Sequence, residues 1–308
     1  MSETRQEQLK NAILKLKKEK GAVILAHYYV GGEVQEIADY VGDSYYLSKL
    51  AVELKEDTII FCGVSFMGES AKVLNPDKRV ILVDESADCP MAHMAQIEKI
   101  EQVRRQHPGI AVVCYVNSTA QLKAHSDVCV TSSNAVKVVK NLEQKEIFFI
   151  PDENLGRHVA GQVPEKKIIF NDGFCPVHVE IGTEELMAVK REHPGVKVLT
   201  HPECREDVLS LSDFIGSTSQ IIDYATESQD EEFIICTETG VFYELQQKNP
   251  NKKFYSVVRQ QICPDMKKIT LEKVKMVLET LGPELEVDRE MAEKSCKPLE
   301  RMLELAEG

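Results

Sequence analysis

Three cysteines that are each followed by proline are the first residues of this chain that could do chemistry. They are Cys89, Cys175 and Cys263, which stand 86 and 88 positions apart. These separations are far too long for a local metal-binding motif. If the fold brings the thiolates together, they could hold either zinc or an iron–sulfur cluster with one iron open to substrate. Spacing alone does not distinguish the two metals.

The separation between the cysteines is also the period of an internal repeat. In each copy a glycine precedes a first apolar run, an aspartate opens a second, and two further apolar runs lead to the Cys-Pro pair. The repeated positions are Gly21, Gly109 and Gly195, then Asp39, Asp127 and Asp213. We therefore interpret the chain as an internal triplication.

Within each copy, short apolar runs alternate with segments of helical spacing, which predicts βα units and a parallel sheet. The predicted fold class is α/β. It is an internal triplication of a small αβα sandwich, with a four-stranded parallel sheet in each copy and pseudo-threefold symmetry between copies. The predicted domains are residues 1–88, 89–174 and 175–264, with C-terminal helices in 265–308 packing back on the first.

Polar residues follow the first and second predicted strands of every copy at equivalent positions. Ligands of parallel α/β sheets bind at the carboxyl ends of the strands. Pseudo-threefold symmetry would therefore gather these side chains around one axis, close to the cysteines. They are His27, Tyr29, Tyr115, Asn117, His201 and Glu203 after the first strands, and Ser44, Ser132 and Thr218 after the second.

Composition and charge restrict the partners. The 37 Lys and Arg residues against 50 Asp and Glu residues give a net charge of −13, which argues against a nucleic acid or an anionic membrane as partner. The N-terminal segment 1–20 reads as an amphipathic helix without the apolar run of a signal peptide. No apolar stretch approaches the roughly 20 residues that span a bilayer. These features predict a cytoplasmic protein that acts on small molecules.

The remaining cysteines lack the threefold pattern, and we interpret them as packing residues rather than ligands. In a reducing compartment they are not expected to form disulfides. They are Cys62, Cys114, Cys129, Cys204, Cys236 and Cys296.

The chain resembles the quinolinate synthases in a series of ordered motifs from about residue 9 to about residue 305. The motifs are AHYY at 26–29, GDS at 42–44, CPMA at 89–92, YVNST at 115–119, TSSNA at 131–135, PDENLG at 151–156, CPVH at 175–178, HPEC at 201–204, GST at 216–218, and Cys263 with Met266 and Lys267.

This resemblance implies three αβα domains around a [4Fe–4S] cluster with one open iron, which selects iron over zinc. The implied cluster ligands are Cys89, Cys175 and Cys263. The implied reaction condenses iminoaspartate with dihydroxyacetone phosphate to quinolinate, losing phosphate and water. The resemblance also implies an L-aspartate oxidase or dehydrogenase as the source of iminoaspartate. The implied substrate-binding residues are His27, Ser44, Tyr115, Val116, Asn117, Ser132, His201, Pro202, Glu203 and Thr218.

The chemistry of such a reaction suggests roles for some of these residues. Four carbons and three carbons give the seven of a pyridine dicarboxylate, and the isomerisation and dehydration steps require acid–base groups. The candidates are Glu203 and Tyr29, with His201 assisting. The open iron would bind a substrate carboxylate or the leaving hydroxyl and favour the loss of water.

The sequence departs from the family pattern at three points. Tyr28 stands where asparagine is expected, and Asp265 stands where asparagine commonly follows the third cysteine. No cysteine follows Cys263 in a C-x-x-C arrangement, so a disulfide switch is not expected there. Two other functions stay open on the residues alone. One is a different open-iron hydro-lyase, and the other is a non-catalytic iron–sulfur or zinc sensor.

Overall fold

Three parallel four-stranded sheets form the framework of the chain. The computed structural model describes residues 3–259 and 261–307. In every sheet the second strand of the unit lies at one edge, followed by the first, third and fourth. All strand pairs within these sheets are parallel, and helices connect them. The predicted α/β triplication is therefore confirmed.

The first unit begins with a long helix and places its strands in residues 22–82. Its first strand is completely buried, as the apolar run predicts for a central parallel strand. Its elements are α1 (Glu3–Lys20), β1 (Ala22–His27), α2 (Gly32–Gln35), β2 (Tyr40–Gly42), α3 (Ser44–Glu53), β3 (Thr58–Cys62), α4 (Ser65–Leu74) and β4 (Arg79–Leu82).

The second unit repeats this order after a short 3₁₀ turn at Pro90–His93. Its strands fall in residues 111–170. Its elements are α5 (Ile97–Gln106), β5 (Ala111–Tyr115), α6 (Ala120–Ala124), β6 (Val128–Val130), α7 (Ala135–Asn141), β7 (Glu146–Ile150), α8 (Glu153–Gln162) and β8 (Lys167–Phe170).

The third unit has its strands in residues 197–256, and two further helices follow it after a 3₁₀ turn at Met266–Lys268. The elements are α9 (Pro176–Val179), α10 (Thr183–Glu192), β9 (Lys197–Thr200), α11 (Glu206–Leu209), β10 (Phe214–Ile215), α12 (Thr218–Glu227), β11 (Glu232–Cys236), α13 (Val241–Lys248), β12 (Lys253–Ser256), α14 (Leu271–Thr280) and α15 (Arg289–Glu307).

The repeated glycines and aspartates have the same structural role in each unit. Each glycine lies in the turn between the leading helix and the first strand and has a left-handed backbone, with φ of +59° at Gly21, +88° at Gly109 and +82° at Gly195. Each aspartate accepts the backbone N–H of a residue in the adjacent first strand at 2.7 to 2.8 Å. The pairs are Asp39 with Ile24, Asp127 with Val112, and Asp213 with Val198.

The C-terminal helices cover two of the three units. Helix α14 packs on α1. The N–H of Leu285 donates to the Val80 carbonyl at 2.8 Å, so the segment after α14 also lies against the first unit. Helix α15 packs mainly on α6 and β6 of the second unit, and it also packs on α4 of the first unit and α7 of the second. The C-terminal helices therefore contact the first unit and also extend over the second.

The buried apolar residues reflect the same arrangement. One continuous core joins the first two units and the C-terminal helices, whereas two separate clusters lie against the third sheet. Tyr28, from the first unit, packs into a cluster of the third with Leu199 and Ile221. Within residues 3–259 and 261–307, no helix has the length and apolar character to cross a membrane.

Candidate active site

A cavity lined by residues of all three units contains about 680 Å³ of space not occupied by atoms, part of which is open to solvent. Because the strands are parallel, the residues after their carboxyl ends reach it from all three units. The polar and sulfur-bearing residues that line it are His27, Tyr29, Asp43, Ser44, Met67, Cys89, Tyr115, Asn117, Thr131, Ser132, Cys175, His178, His201, Glu203, Thr218, Glu238, Cys263 and Met266.

The three Cys-Pro pairs have a common local structure. Proline suits the first position of a helical turn because its missing N–H has no partner there in any case. Cys89 and Cys175 cap such turns, beginning with Pro90 and Pro176. The backbone N–H groups of Ala92, His178 and Met266, each three residues after its cysteine, lie near the thiols and lower their pKa values, and the Ala92 N–H also donates to the Cys89 carbonyl at 2.9 Å.

The donor set of these cysteines fits a metal cluster. Burial raises the pKa of Cys89, Cys175 and Cys263, and the nearby thiols of Cys263 and Cys89 add to the rise at Cys89 and Cys175 respectively. The backbone N–H groups act in the opposite direction, because they favour the thiolate. Three half-buried thiols with backbone N–H groups nearby are suited to cationic iron, which would replace their protons.

Two histidines at equivalent positions act as neutral hydrogen-bond donors. The Nδ1 atom of His27 accepts the Tyr29 N–H at 3.2 Å, and Nδ1 of His201 accepts the Glu203 N–H at 3.3 Å. Burial lowers the pKa of His27 to about 4 and that of His201 to about 3. At neutral pH each ring therefore carries its proton on Nε2.

A chain of hydrogen bonds joins Glu203 to Tyr29. The Nδ1 atom of His178 lies 2.8 Å from Oε2 of Glu203. On its other side, Nε2 of His178 lies 2.9 Å from the Thr237 hydroxyl, which lies 2.8 Å from the Tyr29 hydroxyl. The Tyr29 hydroxyl is also 2.8 Å from that of Thr218. Because each member is partly or fully buried, this chain can hold a proton in a defined place.

The two ends of this chain have opposite protonation preferences. Burial tends to raise the pKa of Glu203, but the hydrogen bond and charge of His178, with His201 nearby, bring it below the ordinary value. Burial, together with the Glu203 charge, raises the pKa of Tyr29 and of Tyr115 well above their usual range. Glu203 is therefore an anionic acceptor, and the two tyrosines are protonated donors.

Some buried polar atoms of the cavity lack a protein partner. Within the described part of the chain, Oε1 of Glu203 and Oδ1 of Asn117 have no hydrogen-bond partner. A buried acceptor without a partner is costly, so native proteins rarely keep one. These two oxygens are therefore placed to receive donors from a ligand.

The structure brings most of the predicted site residues to this cavity, including all three Cys-Pro cysteines. Val116 and Pro202 do not line it. The Val116 side chain is buried in the core, and Pro202 lines a neighbouring groove between the second and third units. Within the described chain, none of the six cysteines interpreted as packing residues lines the cavity either, and five of them are buried.

Several residues of the site were missed by the sequence reasoning. Asp43 and His178 lie inside quoted motifs but received no role. Glu238 accepts the N–H of Cys263 at 3.0 Å and pairs with Lys267 at 2.9 Å. It stands 86 positions after Asp152, so the repeat offset applied to the ends of the third strands would have identified it.

Comparisons with known proteins agree over almost the whole chain. Residues 11–304 match the family model described as NadA, quinolinate synthetase A protein. The quinolinate synthase of Fusobacterium nucleatum is 55% identical over 298 residues, covering 97% of this chain and 99% of that protein. That of Caldicellulosiruptor bescii is 52% identical over 299 residues, with the same coverage of both chains. That of Clostridioides difficile is 49% identical over 296 residues, covering 96% and 97%. The chain therefore belongs to the quinolinate synthetase A protein family.

Proposed function

We propose that the chain condenses iminoaspartate with dihydroxyacetone phosphate to form quinolinate, releasing phosphate and water. The observation that carries this proposal is the convergence, in one cavity, of three thiols with an anionic carboxylate and protonated tyrosines. A condensation followed by isomerisation and dehydration requires both kinds of group. The family membership supports the product, and the geometry supports the roles below.

Cys89, Cys175 and Cys263 would hold a [4Fe–4S] cluster with three protein ligands. When bound, its open iron would supply a Lewis acid for a substrate carboxylate or a leaving hydroxyl. The other residues of the cavity lie around the same thiols, since Nδ1 of His178 is 3.1 Å from Sγ of Cys175. A substrate in the cavity would thus contact protein donors and the cluster together.

Glu203 is the general base of the proposed reaction, and Tyr29 is the proton donor. At neutral pH Glu203 is deprotonated and can accept a proton, and Tyr29 is protonated and can donate one, so each side chain is in the protonation state that its role requires. Their separation by His178 and Thr237 gives two proton-transfer positions within one hydrogen-bonded chain. Keto–aldo isomerisation needs such a pair, because one carbon loses a proton while a neighbouring position gains one.

The anionic groups of the substrates would be held by neutral donors. His27 and His201 carry Nε2–H groups in the cavity, where Nε2 of His201 lies 3.2 Å from the Ser132 hydroxyl, and Ser44, Ser132 and Thr218 add hydroxyls from three different units. Neutral donors in a buried site can bind carboxylate or phosphate oxygens without becoming deprotonated there. His201 therefore assists by binding and orienting the substrate rather than as the main proton carrier.

Purification without oxygen followed by an assay with iminoaspartate and dihydroxyacetone phosphate tests the proposal. We expect quinolinate and phosphate to form together, at a rate that scales with the iron content of the sample. A cluster-replete sample that dehydrates hydroxy acids but makes no quinolinate would instead identify a hydro-lyase. The source of iminoaspartate would be an enzyme that oxidises or dehydrogenates aspartate, since the imine is two electrons more oxidised than the amine.

A further inference from the structure

One carboxylate connects all three units on the cavity wall. Asp43 follows strand β2 of the first unit, and its Oδ1 accepts the N–H of Tyr46 at 3.0 Å, which caps helix α3. Its Oδ2 accepts the hydroxyl of Ser133 from the second unit at 2.8 Å and that of Ser219 from the third at 2.7 Å. We call this arrangement the Asp43 clasp.

The repeat explains why these residues meet. Positions 45, 133 and 219 are equivalent in the three units, and each directly follows one of the cavity hydroxyls Ser44, Ser132 and Thr218. The serines of the clasp are thus the chain neighbours of the hydroxyls proposed to bind substrate oxygens. Any movement that breaks the clasp also changes the spacing of those hydroxyls.

The clasp is asymmetric, because one unit alone supplies the carboxylate. The positions equivalent to Asp43 hold Thr131 and Ser217. The Ser217 hydroxyl is used within its own unit, where it accepts the N–H of Gln220 at 3.3 Å and caps helix α12. A carboxylate has four acceptor positions and a hydroxyl has two, so at these positions an aspartate is best able to cap its own helix and bind two neighbours.

The surroundings of Asp43 show that these bonds are needed. The residue is 6% exposed, and a buried carboxylate is stable only when donors surround it. Tyr28, at a position where this chain departs from the family pattern, is buried against the third unit. Burial, with the Asp43 charge, raises the pKa of Tyr28, and a hydrogen bond with Ser219 opposes the rise. The Tyr28 hydroxyl therefore stays protonated beside the clasp.

We propose that Asp43 is a positioning residue that sets the distances between Ser44, Ser132 and Thr218, and so shapes the part of the cavity that binds substrate oxygens. This inference rests on the proposed function, because those hydroxyls are assigned there. Asp43 is itself anionic and would repel a carboxylate or phosphate. Its effect on such groups is therefore exerted through the hydroxyls that it holds in place.

The double variant Ser133→Ala, Ser219→Ala separates the clasp from the helix cap, because Asp43 still accepts the Tyr46 N–H. A shift of the hydroxyls that costs about 1.4 kcal/mol of substrate binding raises KM about tenfold. We expect KM for the substrates to rise about tenfold or more, with kcat changed less and with iron content unchanged. The variant Ser133→Thr, Ser219→Thr keeps both hydroxyls and should restore KM. Ser210→Ala, which removes an exposed serine hydroxyl elsewhere, is the matched control.

Hydrogen–deuterium exchange provides a readout that does not depend on activity. Peptides covering residues 131–139 and 217–224 should exchange faster in the double alanine variant than in the wild type, while peptides of strand β5 stay unchanged. If the wild type makes no quinolinate but the double alanine variant exchanges faster than it in these peptides, the proposed function is wrong and the positioning role of the clasp stands. Unchanged exchange, or a KM equal to that of the wild type, would overturn the clasp.

Discussion

His178 donates through Nδ1 to Oε2 of Glu203 at 2.8 Å, and this bond orients the carboxylate on which the proposed reaction depends. Both side chains are buried, with exposed fractions of 1% and 4%. The carboxylate keeps its other oxygen without a protein partner inside the described chain. One oxygen is thus fixed by the protein, and the other is available to a substrate proton.

Glu203→Gln should retain the metal centre and lose turnover. The amide keeps the size of the side chain but cannot remove a proton, so kcat should fall by about 10²–10⁴. Iron and sulfide analysis would check that the cluster is present, and quinolinate formation would measure the loss. Turnover at the wild-type rate would contradict the assignment of Glu203 as the base.

His178→Gln should also lower kcat, because the carboxylate would no longer be oriented by an imidazole that Thr237 holds from the other side. The matched variant Thr237→Val removes the hydroxyl and leaves His178 in contact with Glu203, so its effect should be smaller. Steady-state kinetics at matched iron content would compare the two. Equal losses in both variants would show that the whole chain to Tyr29 is needed, rather than the bond to Glu203 alone.

Tyr29→Phe removes one hydroxyl from the cavity and leaves the ring packing intact. If this hydroxyl delivers a proton, kcat should fall by about 10²–10⁴ while the unfolding temperature changes little. Tyr46→Phe is a suitable control, since Tyr46 is exposed and lies outside the cavity lining. A Tyr29→Phe enzyme with full kcat would exclude Tyr29 as the proton donor.

Cys175→Ala should abolish both the cluster and quinolinate formation, because two remaining thiols cannot replace three ligands. Cys296→Ala removes a thiol on helix α15 and should leave iron content and activity unchanged. The visible absorbance of the sulfur-to-iron charge-transfer bands and the iron content would be measured for both variants. A Cys175→Ala protein that is fully loaded with iron and active would refute the ligand assignment.

Stability should decrease on acidification because of His27 and His201. Their folded-state pKa values of about 4 and about 3 lie below the ordinary value of 6.5, so the unfolded chain binds more protons between these limits. The stabilisation is complete above about pH 6.5 and is lost as the pH falls towards the folded values. Each histidine contributes a slope of at most about 1.4 kcal/mol per pH unit.

Urea unfolding of the wild type at pH 7 and pH 5 would measure this dependence. His27→Gln and His201→Gln should each make this pH dependence shallower than in the wild type. An unchanged slope in both cavity variants would show that burial of these rings does not control acid stability.

The repeat made the fold and much of the site accessible from the sequence. Equivalent positions in parallel units must lie at equivalent places around an axis, so the offsets that align Cys89 with Cys175 also align His27 with His201. The same reasoning placed Ser44, Ser132 and Thr218 together. The place of a residue within its repeat can be determined from the sequence, and that place predicts where the residue lies around the cavity.

Contacts that break the symmetry could not be obtained in this way. Asp43 reaches two serines in other units, although its equivalents Thr131 and Ser217 do not. His178 meets Glu203, although the residues equivalent to His178 are Ala92 and Met266. Helix α15 crosses to the second unit because of its own apolar face. Each of these features depends on side-chain length or on packing between units, which the period does not encode.

Gly240 is in close contact with the first unit, and this contact has a consequence for how the enzyme is made. A β-carbon at Gly240 would lie 2.6 Å from the Tyr28 carbonyl oxygen and the Tyr29 Cα, and Lys267 donates to the Tyr29 carbonyl at 2.6 Å. More than 200 residues separate the two sides. At about 5–20 residues per second, a ribosome needs roughly 10–40 s to synthesise that interval. The three-cysteine site that we propose for the cluster is likewise completed late, because Cys263 is synthesised 174 residues after Cys89 and 88 residues after Cys175.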